Sequence, residues 1–322
     1  MTKVFVTRHI PEVGLAMLRK RKDLHIVVAP QDKAISRRKL LRSVRGADIL
    51  LSILTDKIDA AVMDAAGSKL KMIANYAVGF DNIALKEAKR RGIVITNTPG
   101  PEISETVAEH VIALMFALAH RIVETDAFSR RGNYHGWGPE MLLGCDVYGT
   151  TLGIVGGGAI GSAVAKRMHD GFGVTILYTD IRRNKKLEAE TGAKFRTLPQ
   201  LLKQSDFVSL HVPLLPSTHH MIGMRELKLM KPTAFLINTA RGPVIDEAAL
   251  ITALTHHVIA GAGIDVYEHE AHIPRGLRKL KNIILTPHTA SATHGARNAI
   301  SIAVAKNILA FIDGKTPPNA IA

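Results

Sequence analysis

Short apolar runs alternate with segments of helical pattern along the first third of the chain. The apolar runs, which are rich in Val and Ile, predict β-strands at residues 4–6, 26–29, 49–54, 71–76 and 93–97. Between them, apolar residues at helical spacing predict helices at residues 11–20, 36–44, 60–66 and 85–91. Regular alternation of strands and helices is typical of an α/β unit with a parallel sheet.

The same alternation restarts after a long apolar segment. Residues 103–123 are interrupted by few polar positions and predict one long, mostly buried helix. Six further strands are then predicted at residues 151–155, 174–179, 207–211, 234–238, 261–266 and 283–286, the number found in a doubly wound nucleotide-binding domain. An amphipathic helix is predicted at residues 295–313.

The closing helix comes after the second set of strands is complete, so the simplest domain organisation is discontinuous. Residues 1–99 and 289–322 are predicted to form a smaller, flavodoxin-like α/β domain that binds the substrate. Residues 100–288 are predicted to form a Rossmann-type, doubly wound parallel sheet domain inserted into it.

Three glycines follow the first strand of the second series with the spacing of a dinucleotide-binding turn. Gly156 suits the tight turn, Gly158 lets the backbone approach a pyrophosphate, and Gly161 lets the next helix pack against the strand. That helix begins at Ala159 and Ile160, and its N-terminal N–H groups are available to phosphate oxygens. A dinucleotide cofactor is therefore predicted at these five residues.

The residue that ends the second strand of this series bears on the choice of cofactor. A carboxylate at Asp180 accepts hydrogen bonds from the ribose hydroxyls and repels a 2'-phosphate, so NAD(H) is favoured. Arg182 and Arg183 follow closely and would offset that repulsion. NADP(H) therefore stays open, with Arg182 as a candidate contact.

Three chemically distinct residues follow later strands of the same predicted sheet. Arg241, Glu270 and His288 each lie just after a strand, where open α/β sheets bind their ligands. Arg offers a fixed planar cation for a carboxylate, and His exchanges a proton near neutral pH. A neighbouring carboxylate stabilises the imidazolium and makes His a proton donor. Each residue alone has an ordinary structural interpretation, but together they predict hydride transfer to a 2-keto acid.

Composition narrows the class of partner. The chain has 322 residues, 47% of them hydrophobic, and a formal net charge of +14. The basic residues are scattered and few aromatics accompany them, so nucleic-acid binding is not predicted.

No apolar run is long enough to span a membrane, and a single cysteine, Cys145, agrees with a reducing, cytoplasmic setting. The two Glu and two His of residues 268–272 lack other ligands at metal spacing, so no metal is predicted.

The motifs, in their order along the chain, resemble those of the D-isomer-specific 2-hydroxyacid dehydrogenase family. The resemblance rests on the mid-chain glycine turn, ARG at residues 240–242, DVYEHE at 265–270 and TPH at 286–288. NYAVGFDN at residues 75–82 and TNTPG at 96–100 make the chain most similar to the glyoxylate and hydroxypyruvate reductases of that family.

The resemblance implies roles for individual residues. It implies that Arg241 binds the keto-acid carboxylate and carbonyl oxygen, that Glu270 orients and charges His288, and that His288 protonates the carbonyl. Backbone amides at Val78 and Gly79 are implied to hold the substrate carboxylate.

The resemblance further implies a homodimer of two-domain subunits, with the active site in the cleft between the domains. Trp137 lies in a loop that in similar reductases reaches toward the neighbouring subunit, although a simple packing role fits it equally. Cofactor contacts are also implied for Thr106, Thr239, Ala240 and Asp265.

Two departures leave the specificity open. Similar reductases often carry Ser or Thr followed by Arg where this chain has Asp180-Ile181-Arg182, and often Ile-Gly-Ser where it has Thr289-Ala290-Ser291. Dehydrogenases of 2-ketogluconate, D-lactate or phosphite are therefore alternatives. A nucleotide-sensing, corepressor-like scaffold is the alternative from another class.

Overall fold

The computed structural model describes residues 1–30 and 34–321. The chain divides into two compact units, Met1–Ile103 with Ala292–Ala322, and Ser104–Ser291. The divisions fall at Ile103 and Ser291, whereas the sequence places them at residues 99 and 288. The helix that starts at Pro101 runs across the first of them. Residues 31–33 and 322 of the predicted domains lie outside the described residues.

The described residues form the following regular elements. The strands are β1 Thr2–Val6, β2 Leu24–Val28, β3 Ile49–Ile53, β4 Met72–Tyr76, β5 Val94–Thr96, β6 Thr151–Val155, β7 Thr175–Thr179, β8 Lys194–Phe195, β9 Phe207–Leu210, β10 Phe235–Asn238, β11 Gly261–Ile264, β12 Ile283–Leu285 and β13 Ala320–Ile321. The helices are α1 Glu12–Arg19, α2 Arg37–Ser43, α3 Ala60–Ala66, α4 Leu85–Arg90, α5 Pro101–Ala119, α6 Ile122–Arg130, α7 Ala159–Phe172, α8 Lys185–Thr191, α9 Leu198–Gln204, α10 Met224–Leu227, α11 Glu247–Thr255, α12 Arg275–Lys279 and α13 His294–Ile312.

The first unit is built on a sheet of order β13-β5-β4-β3-β1-β2, parallel except for the antiparallel edge strand β13. Read from β2, the parallel strands have the flavodoxin-like order 2-1-3-4-5. Helix α13 closes this unit against α1, where a side chain at Gly14 would clash with Ser301. Ser301 donates its hydroxyl to the Pro11 carbonyl at 2.7 Å and accepts the Gly14 amide at 3.2 Å, so the crossing is both close and hydrogen-bonded.

The second unit is built on a fully parallel sheet of order β12-β11-β10-β9-β6-β7-β8. Read from β8, the first six strands follow the Rossmann order 3-2-1-4-5-6. The α/β class and the doubly wound sheet predicted from the sequence are confirmed. The two-residue strand β8 is too short to show in the hydrophobic pattern, and it makes seven strands where six were predicted. Because the strands are parallel, the loops after β6, β9, β10, β11 and β12 leave from one edge.

The single helix predicted at residues 103–123 is wrong, because two helices occupy this segment. Helix α5 ends at Ala119, and Arg121 takes a left-handed conformation with φ of 53° before α6 begins. The helices meet at a bend of 60°. No single helix of the described residues is long and apolar enough to cross a membrane, and only the bent pair reaches that length and composition.

Candidate active site

Two glycines of the turn after β6 are required for steric reasons within the protein, and the third borders open space. Gly156 has φ of 100°, and a Cβ there would lie 2.8 Å from the carbonyl of His211. A Cβ on Gly161 would clash with the Gly156 carbonyl oxygen and lie 2.9 Å from the side chain of Ile154 on β6. Gly158 precedes α7 and faces open space. The turn is therefore compact on its protein side and open beside the helix N-terminus.

Asp180, which follows β7, is tied to this turn. Its two carboxylate oxygens accept the amides of Gly157 at 2.8 Å and Ile181 at 2.6 Å. Arg183 is engaged by Glu188 at 2.9 Å. Arg182 is exposed, and among the described residues it has no ion-pair partner. Of the two arginines, Arg182 is therefore the one available to a negatively charged ligand near Asp180.

The turn that carries Arg241 is held by the buried end of β10. Asn238 is 1% exposed; its side chain donates to the Arg241 carbonyl at 2.9 Å and accepts the Ala240 amide at 3.0 Å. The Arg241 guanidinium donates to the Ala240 carbonyl at 2.7 Å. The hydroxyl of Thr239 is buried and has no hydrogen-bond partner among the described residues. The turn thus offers a positioned cation and one unsatisfied polar group.

His288 and Glu270 form a hydrogen-bonded pair. The distance from His288 Nδ1 to Glu270 Oε1 is 2.9 Å, and the two side chains are 21% and 28% exposed. His288 has φ of 56°, a left-handed conformation that non-glycine residues seldom adopt. Its amide donates to the Asp265 carbonyl at 2.8 Å. The pair is partly shielded from water, and among the described residues the other ring nitrogen of His288 has no hydrogen-bond partner.

The buried carboxylate of Asp265 lies beneath the His288 loop. Asp265 is 0% exposed and accepts the Thr286 hydroxyl at 2.5 Å, the Thr289 amide at 2.8 Å and the Ala290 amide at 2.9 Å. His110 of α5 adds a 3.2 Å contact to the Thr286 hydroxyl. Both oxygens of Asp265 are used by this loop, and the cofactor contact that the family resemblance implies for Asp265 stays a prediction.

The loop that carries Glu270 is anchored by residues that the sequence reasoning missed. The Glu268 amide donates to the Glu247 carboxylate at 2.8 Å, and the Glu247 amide donates to the Glu268 carboxylate at 3.2 Å. His220 approaches Glu268 at 2.7 Å. Burial raises the pKa of the Glu247 carboxyl. The sequence could have indicated Glu268, because it lies two residues before Glu270. Its partner Glu247 is found only from the three-dimensional structure.

The Arg241 turn and the Glu270 loop touch through their backbones. A side chain at Gly242 would clash with the carbonyl group of Tyr267. The glycine that follows Arg241 therefore lets two functional loops approach more closely than any other residue would allow.

The remaining predicted site residues lie in several places. Val78 and Gly79 follow β4 in the first unit, and Thr106 lies on α5 in the second. Trp137 is 80% exposed. Among the described residues, no group of three or more His, Cys, Asp or Glu side chains is placed to hold a metal ion.

Comparison with known proteins identifies the family. The model for the NAD-binding domain of D-isomer specific 2-hydroxyacid dehydrogenases matches residues 112–290. The chain belongs to this family. It is thus an NAD(P)-dependent oxidoreductase, and the family predicted from the motifs is confirmed.

Individual relatives extend the likeness to the whole chain. It is 50% identical to a glyoxylate reductase of Thermococcus litoralis over 323 aligned residues, which cover 99% of this chain and 96% of the relative. A solved structure, the TT0316 protein of Thermus thermophilus, is 41% identical with a TM-score of 0.92 and full coverage of both chains. An NADPH-dependent glyoxylate/hydroxypyruvate reductase of Sinorhizobium meliloti, solved with NADP and malonate, is 30% identical with a TM-score of 0.86, covering 100% of this chain and 97% of that one.

Proposed function

We propose that this protein reduces glyoxylate or hydroxypyruvate to the 2-hydroxy acid, of D configuration where the product is chiral, using NAD(P)H. The observation that carries the proposal is the 2.9 Å hydrogen bond between His288 and Glu270. The pair follows β12 and β11, on the sheet edge that also carries Arg241 and the glycine turn. A proton donor, a fixed cation and a dinucleotide turn are the groups that reduction of a keto acid requires. Relatives named glyoxylate reductase, about half identical, support this substrate class.

The residues around the glycine turn fit a dinucleotide. The space beside Gly158 is open to a pyrophosphate, and α7 begins there. The buried Thr239 hydroxyl, which has no hydrogen-bond partner among the described residues, can form a hydrogen bond with a polar group of the bound cofactor. When bound, the reduced nicotinamide supplies the hydride. We assign cofactor binding to Gly156, Gly158, Ala159, Ile160, Gly161, Asp180, Arg182, Thr106, Thr239 and Ala240.

The chain's own residues supply the proton and the charge stabilisation. The Glu270 carboxylate accepts a hydrogen bond from Nδ1–H of His288 and stabilises the imidazolium form. The Nε2 proton of His288 passes to the substrate carbonyl oxygen as the carbonyl carbon gains hydride, so the C=O group becomes CH–OH. Arg241 stabilises the negative charge that develops on that oxygen and binds the substrate carboxylate. For Val78 and Gly79 we propose that their backbone amides bind the substrate carboxylate.

NADH is the proposed preferred cofactor. The Asp180 carboxylate is held by two backbone amides, in position to accept ribose hydroxyls and repel a 2'-phosphate. NADPH is the second candidate, because Arg182 is exposed beside it and a relative of this fold was solved with NADP.

A panel assay tests the reaction. The purified protein should oxidise NADH with glyoxylate or hydroxypyruvate faster than with pyruvate or 2-ketogluconate, and should not reduce NAD with phosphite. His288→Asn should lower kcat by about a hundredfold to ten-thousandfold, the usual contribution of a general acid, while the Kd for NADH stays unchanged. Absence of turnover on every keto acid would contradict the proposal and favour a nucleotide-sensing scaffold.

We also propose that the protein is a homodimer that pairs through the segment from α6 to β6. Large apolar side chains of this segment are exposed, including Val123 (56%), Trp137 (80%) and Leu143 (64%). Such a concentration of apolar surface marks an interaction site. Light scattering should give twice the chain mass for the wild type and for the control Val13→Asp. Leu143→Asp should shift the mass toward that of one chain, and an unchanged dimer would contradict this interface.

A further inference from the structure

The backbone at Ala77 and Val78 is held by its carbonyl groups. The amide of Thr98 donates to the Ala77 carbonyl at 2.9 Å, and the side-chain amide of Asn97 donates to the Val78 carbonyl at 2.7 Å. The two donors are adjacent residues that follow β5. Two successive carbonyls of this loop are therefore drawn to one side, toward the same neighbouring segment.

The next carbonyl is held by a buried asparagine. Asn75 is 0% exposed and donates its side-chain amide to the Gly79 carbonyl at 2.9 Å. The Asn75 side-chain oxygen accepts the Ser52 hydroxyl at 2.9 Å, and Asn82 exchanges hydrogen bonds with Asn75 at 3.1 and 3.3 Å. Because this polar network is satisfied, it keeps the position of Gly79 fixed.

Anchored carbonyls determine where the amides point. In a trans peptide the N–H lies opposite the C=O, so the amides of Val78 and Gly79 point away from Asn97 and Thr98. Within the described part of the chain, neither these amides nor that of Phe80 donates to a protein acceptor. Successive amides on one side of a loop form a concavity that binds anions.

We propose that Asn97 is a positioning residue for the substrate carboxylate, because it holds the Val78 carbonyl so that the Gly79 amide of the same peptide group faces the ligand. Asn75 supports this arrangement by holding the Gly79 carbonyl, which fixes the next peptide group. This inference rests on the proposed function, in which Val78 and Gly79 bind that carboxylate. We assign neither asparagine a direct contact with the substrate. Their effect on binding is exerted through the orientation of the two peptide groups.

Asn97 is the better residue to change. Its backbone is held independently of its side chain, because its amide donates to the Asn319 carbonyl at 3.3 Å and its carbonyl accepts the side-chain amide of Asn307 at 3.0 Å. Asn97→Ala therefore removes the side-chain donor without releasing the segment. Thr98→Val is the matched control: the Thr98 hydroxyl is buried without a partner among the described residues, and its backbone donor is kept.

The experiment compares wild type, Asn97→Ala, Asn97→Gln and Thr98→Val. Asn97→Ala should raise the KM for glyoxylate about tenfold with little change in kcat, because the amides bind the carboxylate equally in the ground and transition states. The Kd for oxalate, a dicarboxylate that is not turned over, should rise equally when titrated with NADH present. Asn97→Gln should recover part of the loss, and Thr98→Val should match the wild type.

The outcomes separate this inference from the proposed function. KM and oxalate Kd values within twofold of the wild type in a folded Asn97→Ala would overturn the inference, as would an equal change in Thr98→Val. A wild type that reduces no keto acid would overturn the proposed function instead. The oxalate titration would still decide whether Asn97 orients an anion site.

Discussion

Replacing Asp265 with Asn tests whether this buried carboxylate orients the His288 loop or contacts the cofactor. With its oxygen in the Oδ1 position, the new side chain still accepts the Thr286 hydroxyl and the Thr289 amide, which lie 2.5 and 2.8 Å away in the wild type. In the wild type the Ala290 amide donates to Asp265 Oδ2 at 2.9 Å. In the variant an NH₂ group takes the place of Oδ2, so two donors face each other. Ala290 is 4% exposed, so water cannot replace the lost acceptor.

The cost follows from these contacts. An unsatisfied buried amide costs about 1–3 kcal/mol, and the surviving bonds weaken because hydrogen bonds to a charged acceptor are roughly twice as strong as neutral ones. We expect Asp265→Asn to lower the free energy of unfolding by about 2–4 kcal/mol. Release of the Ala290 end lets His288 move, and a displacement of about 1 Å lowers kcat/KM roughly a hundredfold.

Steady-state reduction of glyoxylate, NADH titration by fluorescence and urea unfolding together provide the test. Asp206→Asn is the matched control, because Asp206 also accepts a backbone amide, that of Thr151 at 3.0 Å, but precedes β9 at the opposite edge of the sheet. The control should lose stability and keep its kcat/KM. Full activity in Asp265→Asn would refute the positioning role. A rise in the Kd for NADH equal to the loss of activity would instead favour the cofactor contact inferred from the family resemblance.

Three further variants or conditions give expected outcomes. Gly242→Ala should lower kcat/KM about a hundredfold without removing a functional group, because the added Cβ overlaps the backbone of Tyr267. Gly171→Ala is the control, because no atom lies near that position. The same kcat/KM in both variants would contradict this reasoning. Burial lowers the pKa of His211 to about 3, so the free energy of unfolding should decrease as pH falls from about 6.5 toward that value. Denaturant titrations across that range should show a smaller decrease in the free energy of unfolding for His211→Gln than for the wild type. The same decrease in both proteins would contradict a contribution from His211. Asp180→Ser should lower the KM for NADPH relative to that for NADH, and the double variant with Arg182→Ala should restore the wild-type ratio of the two KM values. The wild-type ratio in both variants would show that Asp180 and Arg182 do not determine the cofactor preference.

Local patterns predicted most of the fold, because its determinants are short-range. Apolar runs found every long strand, and the glycine spacing located the turn in which the structure gives steric reasons for Gly156 and Gly161. The break at Arg121 was missed because a left-handed residue leaves no mark in an apolar periodicity. The strand β8 has two residues, which is fewer than any alternation can reveal.

The supports of the site were harder to predict because they depend on tertiary contacts. Arg241, Glu270 and His288 were predicted from their positions after strands, and the structure shows the Glu270–His288 hydrogen bond. Glu247 and Glu268, in contrast, are 21 residues apart in the chain and meet only because β10 and β11 are neighbours. Their reciprocal hydrogen bonds have no sequence signature.

The left-handed conformation of His288 explains why its loop needs so many supports. A non-glycine residue at φ of 56° costs on the order of 1–3 kcal/mol, which must be offset by surrounding contacts. The His288 amide is held by the Asp265 carbonyl, and the Asp265 carboxylate holds Thr289 and Ala290 on the far side. One buried residue thus fixes the backbone on both sides of the strained position. The ring is directed toward Glu270 by this backbone, so the orientation of the imidazole that we propose as proton donor is set by the fold.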